Sequence, residues 1–329
     1  MTQGGIAACT WGTQVPAETA EILTLAGRLS ASTPVALVTI GSPEGAGQMA
    51  SEYAAGEVHF LSDEALGAFK ADTWVAALSQ YCSSFQPAVL IFGQSFESRH
   101  LAPLLAGRLG CPIVMNVLDA RSDGNGRLRV TASAFGGDTH AEYVVDGNRT
   151  VILCVMPNAV KPAAANPSAR PEVTEFRPDL SGVTERVRVV SPAQSIGPRL
   201  EHAQVIVAGG RGLGRAENFA LVEELAKALG GVTAASRPIV DDGWTDSSHQ
   251  IGLTGKIVRP ALYIAAGISG ASQHMAGCSA AKTIVAINSD PDAPIFRYAS
   301  FGVIGDCLEI LPEMVRVLAE EYAGDGTAK

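Results

Sequence analysis

One pattern recurs along this chain and limits what it can become. Short apolar runs that close on Gly or Asp alternate with helix-length amphipathic segments. The first set is "PVALVTIG", "EVHFLSD", "AVLIFG" and "PIVMNVLD", with the amphipathic "ESRHLAPLLAGRLG" and its glycine stop between the last two. The second set begins at Gln204 with "QVIVAGG". The helical "RAENFALVEELAKALGG" follows, placing Phe219, Val222, Leu225, Ala226 and Leu229 on one face and Gly230 at its end. Strand-like "ALYIAAG" and "KTIVAINSD" come next, then "FGVIGD" and a last helix, "CLEILPEMVRVLAEEY". Such alternation builds right-handed βαβ units around mostly parallel sheets. A length of 329 residues exceeds what one core usually serves. The expectation is an α/β chain of two domains, 1–195 and 196–329, each with a mostly parallel, doubly wound sheet.

Between the two sets the composition changes. "RLRVTASAFGGDTHAEYVVDGNRTVILCVMP" has the look of β-hairpin material, with "DGN" at a turn. "PNAVKPAAANPSARPEV" is rich in Pro, Ala and Asn and suits the surface, and "ERVRVVSP" is expected to return as one more strand of the first domain.

Several function classes are disfavoured. The formal net charge is −9, with no long basic run to meet phosphates, so the chain does not read as a nucleic-acid binder. No apolar stretch approaches the roughly 20 residues of a membrane helix. The N-terminus lacks a basic region before a long apolar core, which argues against a secretory or transit segment. The six cysteines form no C-x-x-C pair and most lie in apolar runs, the usage of reduced thiols in a cytoplasmic protein. No Cys or His pair has metal-ligand spacing, so no metal site is expected.

The second half carries four glycine-bounded or polar loops. "AGGRGLGRAENF" misses the dinucleotide fingerprint in every register. It also misses the P-loop, since Arg215 and Ala216 stand where Lys and a hydroxyl belong. It still offers glycine amides and Arg211 beside a helix start, which is an anion site in physical terms; a plain strand-to-helix turn is the alternative. "AAGISGASQHMAG" turns from strand into helix on small residues, where free amides and hydroxyls could let a phosphate approach. It is no hydrolase elbow, because Ala271 replaces the required glycine. His274 would face outward one turn on, where a lone histidine is more often a satisfied polar residue. "AASRPIVDDGW" ends a short strand on Ser236 and Arg237, and "HQIGLTGKIVRP" carries Thr254 and Lys256. Asp306 heads a capping box with Glu309.

Taken in order, "GGRGL…ENF", "ASRPIVDDGW", "GLTGKIVRPALYIAAGISGASQHMAG", "KTIVAINSDPDAPIF" and "FGVIGDCLEILPEM" closely resemble the flavin-binding domain of the electron-transfer flavoprotein alpha subunit, over about residues 204–318. "ESRHLAPLLAGRLGCP" and "VTASAFGGDTH" resemble the family's N-terminal domain more loosely. The resemblance implies an open-sheet FAD-binding domain at the C-terminus and an N-terminal domain that meets the partner subunit. It implies FAD contacts from Ser269, Gly270, Ala271, Ser272, Gln273 and His274 at the pyrophosphate loop, with His274 near flavin O2. It also places Arg237 against the ring, Thr254 near N5 within the Gly252–Leu253–Thr254 turn, and Arg211, Ser236, Asn288 and Asp306 at further FAD positions. A guanidinium and a donor at O2 favour negative charge on a reduced flavin.

Two departures stand out: Leu253 where the family has Gln, and Ser272 where an apolar residue is usual. The implied protein is an electron carrier without small-substrate turnover. It would pair with a beta subunit holding AMP, accept electrons from acyl-CoA or related flavin dehydrogenases, and pass them to a membrane-associated quinone oxidoreductase. The alternatives are an NADH-linked or bifurcating variant, a nucleotide- or NAD-binding module without redox chemistry, and a degenerate paralogue.

Overall fold

A computed structural model describes residues 4–12, 16, 18–30, 34–41, 43–53, 55–123, 127–135, 139–146, 149–165, 170–187 and 200–324. Two compact units divide the chain: Met1–Ser133 with His140–Pro192, and Ala134–Thr139 with Ala193–Lys329. The boundary expected between 195 and 196 lies outside the described residues.

The first unit is built on a nine-stranded sheet of order β7-β6-β5-β8-β4-β1-β2-β3-β9. Its strands are β1 (Ile6–Gly12), β2 (Val35–Gly41), β3 (Glu57–Leu61), β4 (Val89–Gly93), β5 (Ile113–Ser122), β6 (Arg127–Ala134), β7 (Thr139–Asp146), β8 (Val151–Val155) and β9 (Glu172–Phe176). The central pairings are parallel, and β5 with β6 is antiparallel. Strands β4 and β8 are buried at every residue, as parallel strands covered on both faces must be. Helices α1 (Glu18–Ser30) and α2 (Pro43–Glu52) pack on one face, α3 (Ala71–Phe85) and α4 (Phe96–Leu109) on the other. Helix α4 begins on a Ser95–Ser98 capping box and stops at Gly110, in the left-handed conformation at φ 60°.

One expectation is corrected. "DGN" makes no hairpin between β7 and β8: β7 lies at the sheet edge beyond β6, and β8 inserts between β5 and β4. Insertion there buries all of β8, which a hairpin at the edge could not. Among the described residues the added edge strand is β9, parallel to β3, while most of "ERVRVVSP", the segment expected to return as a strand, lies outside them. Residues 185–187 are irregular, with Glu185 accepting from Thr73 N at 2.7 Å and Arg186 paired with Asp72; 188–192 lie outside the described residues.

The second unit holds a six-stranded sheet of order β12-β11-β10-β13-β14-β15, parallel at every pairing. These strands are β10 (Val205–Gly209), β11 (Val232–Ser236), β12 (Gln250–Ile251), β13 (Leu262–Ala266), β14 (Thr283–Asn288) and β15 (Phe301–Ile304). Helices α5 (Phe219–Ala228), α6 (Arg237–Asp241) and α8 (Cys307–Gly324) share a core on one face. The short α7 (Ser272–Met275) and nearby loops close the other. Phe219, Val222, Leu225 and Ala226 are the buried face of α5, and Gly230 ends that segment at φ 62°. Chain direction across the sheet reverses between β10 and β13, the switch point where open α/β sheets gather ligand loops. Among the described residues no helix is long and apolar enough to cross a membrane.

Candidate functional site

The expected site residues all lie in the second unit, at the C-terminal ends of its parallel strands or on the segments that leave them. Side-chain size decides how closely these loops approach. The turn after β10 packs backbone on backbone against the turn after β13: Gly212 N donates to Gly267 O at 2.9 Å, and a Cβ on Gly210 would strike that same carbonyl. Gly267 itself has φ 63° and is pinned by its amide to Ile287 O at 2.9 Å. Gly270, at φ 81°, lies on the backbone of Ile295, whose N–H donates to Ser269 O at 3.0 Å. Only glycine fits these positions, because each combines a left-handed φ or a bare backbone contact with a neighbour that cannot move aside.

The amides of Ser269, Gly270, Ala271, Ser272 and Gln273 find no acceptor among the described residues. Ser269, Ala271, Ser272 and Gln273 are exposed and Gly270 between them is buried, so the unclaimed N–H groups lie in a loop at the surface. That arrangement suits an anion. Asn288 braces the loop from β14: its Nδ2 donates to Ile268 O at 2.9 Å and its Oδ1 accepts from Asp290 N at 3.0 Å. Asp306 accepts from Leu308 N at 2.8 Å and caps α8.

His274 does not face outward, contrary to expectation. It is 8% exposed, and its Nε2 lies 2.9 Å from the Tyr263 hydroxyl. Its Nδ1 is buried without a partner at hydrogen-bonding geometry. Burial pushes its pKa down to about 4, against an opposing pull from the Ile251 backbone, so the ring is neutral. The inward placement follows from the turn's packing against the core. Four residues give a single turn, and Met275 beside His274 is drawn into the core under β13.

The Gly252–Leu253–Thr254 turn is fastened to that helix. Leu253 N donates to Gln273 O at 2.7 Å, and Gly252, at φ 139°, admits no Cβ comfortably against the same carbonyl. The Leu253 side chain is 63% exposed. Thr254 Oγ1 accepts from Gln250 Nε2 at 3.0 Å, which leaves the threonine proton free to be donated elsewhere.

Cations rim the loops. Arg211 makes a two-pronged pair with Asp242 at 2.9 and 3.0 Å, and Arg237 pairs with Asp241 at 3.1 Å. Both side chains are mostly exposed, and exposed pairs of this kind are readily exchanged for another anion. Ser236 is buried at the start of α6, with no capping hydrogen bond from its side chain.

Two residues escaped sequence reasoning. Gln250 is buried and orients Thr254; Tyr263 is fully buried and bonds His274. The available signal was polarity: each is a hydrogen-bonding side chain in a segment that the fold buries, where a polar group must find a partner.

Comparison with known proteins yields consistent matches. Residues 199–279 match the family described as electron transfer flavoprotein FAD-binding domain, and residues 11–181 match the electron transfer flavoprotein domain. The chain is 39% identical over 260 residues to an electron transfer flavoprotein subunit alpha of Thermoanaerobacterium thermosaccharolyticum, covering 78% of this chain and 79% of that protein. It is 34% identical over 295 residues to the subunit alpha of Mycobacterium leprae, covering 90% and 91%. It is also 34% identical over 326 residues to protein FixB of Bradyrhizobium diazoefficiens, covering 93% and 84%.

Proposed function

The chain belongs to the electron transfer flavoprotein alpha-subunit family, and on that premise we propose that it is the FAD-carrying half of a heterodimeric electron carrier. In this reading it receives electrons from flavin dehydrogenases of acyl-CoA or related type and delivers them singly to a quinone-linked oxidoreductase. A beta subunit holding AMP completes it. It makes and breaks no bonds in a small substrate.

The observation that supports the reading best is the loop from Gly267 to His274. It joins a row of unclaimed amides to a buried imidazole nitrogen that has no partner at hydrogen-bonding geometry. Both features suit FAD: the amides match a pyrophosphate, and a buried N–H needs an acceptor such as a flavin carbonyl.

When bound, FAD supplies a ring that takes up and releases electrons. The chain's own residues prepare its surroundings. The amides of 269–273 bind the phosphates, and Ser269 and Ser272 add hydroxyl donors. Arg237, released from Asp241, sets a fixed positive charge against the ring, and Arg211 can leave Asp242 in the same way. Thr254, oriented by Gln250, directs its hydroxyl proton outward. His274 offers a neutral donor in a water-poor setting, where a hydrogen bond to developing negative charge is strongest. Asn288 and Asp306 hold the loops at the adenosine end.

The reading is tested by co-expressing the chain with its beta subunit. A yellow heterodimer is expected, releasing FAD on denaturation and bleached by a reduced acyl-CoA dehydrogenase. A colourless chain that recruits no partner would overturn it.

A further inference from the structure

Two histidines in this protein are held by tyrosines, and the contrast between them is informative. His59 is buried in the first unit with both nitrogens engaged: Nδ1 lies 2.8 Å from the Tyr81 hydroxyl and Nε2 lies 3.2 Å from Glu57 Oε2. Such a ring is finished by the protein. His274 is finished on one side only. Its Nε2 meets the Tyr263 hydroxyl at 2.9 Å, while its equally buried Nδ1 is left without a partner at hydrogen-bonding geometry.

We propose that Tyr263 is a positioning residue: its hydroxyl donates to His274 Nε2, holds the ring as the tautomer protonated on Nδ1, and thereby aims a buried N–H donor at the flavin. The target of that donor rests on the FAD reading above; the tautomer itself does not.

The direction of the tyrosine bond follows from the groups around it. The Cys278 thiol also lies beside the Tyr263 hydroxyl and acts on it. The Cys278 thiol is itself directed at the His274 carbonyl at 3.6 Å, so its sulfur is left as a weak acceptor. If Nε2 carried the proton, Tyr263 would have to accept it and send its own proton to that sulfur. An imidazole nitrogen accepts far better than a thiol, so the tyrosine proton goes to Nε2. Burial holds the tyrosine protonated and the imidazole neutral. With Nε2 accepting from the tyrosine, the neutral ring has one place left for its proton, Nδ1. Tyr263 is well suited to this task, since it stands in the middle of β13, between β10 and β14, and is fully buried. A hydroxyl so placed cannot swing away, and the tautomer is selected before any ligand arrives.

The test uses the full chain with its beta subunit, labelled with 15N at histidine. Long-range 1H–15N correlation reads the tautomer, and His274→Gln assigns the signal. The expected spectrum shows His274 Nδ1 protonated and Nε2 bare. In Tyr263→Phe the two nitrogen shifts should move toward each other as the tautomers mix, FAD should stay bound, and the flavin potential should fall. A wild-type His274 protonated on Nε2 overturns the proposal without recourse to any variant. So does a Tyr263→Phe protein with unchanged shifts and potential. An Nδ1-protonated ring in a complex that contains no FAD overturns the donor's target and the flavin reading together, leaving the tyrosine–histidine coupling intact.

Discussion

Replacing Gly270 by alanine should cost the second unit more than any ordinary glycine-to-alanine change, and the structure separates the reasons. The first cost is conformational. Gly270 has φ 81°, and an L residue there is disfavoured by roughly 1–2 kcal/mol. The second is steric. An added Cβ would run into the backbone N and Cα of Ile295, atoms tied to the same loop by the 3.0 Å bond to Ser269 O. Backbone cannot rotate aside like a side chain, and overpacking of this kind costs about 1–3 kcal/mol more. Gly230→Ala is the control. Its φ is 62°, yet nothing lies within 4 Å of the added methyl, so it bears the conformational cost alone. The two variants should differ by about 1–3 kcal/mol in urea unfolding of the FAD-free chain. Trp244, packed against the second core, reports on the right unit once Trp11 and Trp74 of the first unit are changed to Phe. FAD retention should fall in Gly270→Ala and persist in Gly230→Ala. Equal losses in the two would refute the argument, since Ile295 would then be free to retreat.

Three further outcomes are expected. His274 has its pKa lowered from 6.5 to about 4, so the unfolded chain takes up the proton first as pH falls. Stability present in full above pH 6.5 should therefore decline toward pH 4, by on the order of 3 kcal/mol, and Trp244-monitored unfolding of His274→Gln should lack that decline. On the FAD reading, Leu253→Gln sets an amide beside the flavin. A hydrogen bond to developing charge is worth about 1.5–3 kcal/mol against about 1 for a neutral one, so the potential should rise by tens of millivolts in a spectroelectrochemical titration. An unmoved or lowered potential would mean that this exposed side chain lies away from the ring. Ser269→Asp sets a carboxylate among the loop amides, which should release FAD while the unfolding curve stays put; tight retention would place the phosphates elsewhere.

Much of the architecture followed from local pattern. Apolar runs such as "AVLIFG" and "ALYIAAG" became β4 and β13 because a parallel strand covered on both faces leaves no polar position to disguise it. The glycines at 267 and 270 announced a tight turn because few other residues adopt a left-handed φ. Strand neighbours were less accessible. Nothing within "EYVVDGNRTVILC" distinguishes a hairpin from a strand that leaves for the middle of the sheet, and β9 lay hidden in a polar, Pro-rich stretch because an exposed edge strand needs no apolar face. The sequence by itself determined the fold class, the second unit's run of strands and helices, and the resemblance that pointed to FAD, since these depend on residue type and order along the chain. Only the tertiary structure decided that His274 turns inward onto Tyr263, that Gln250 meets Thr254, and that Arg211 and Arg237 rest on Asp242 and Asp241. Those are contacts between segments 4 to 31 residues apart. A hydrogen bond depends on where two atoms meet in space, which the order of residues along the chain does not record.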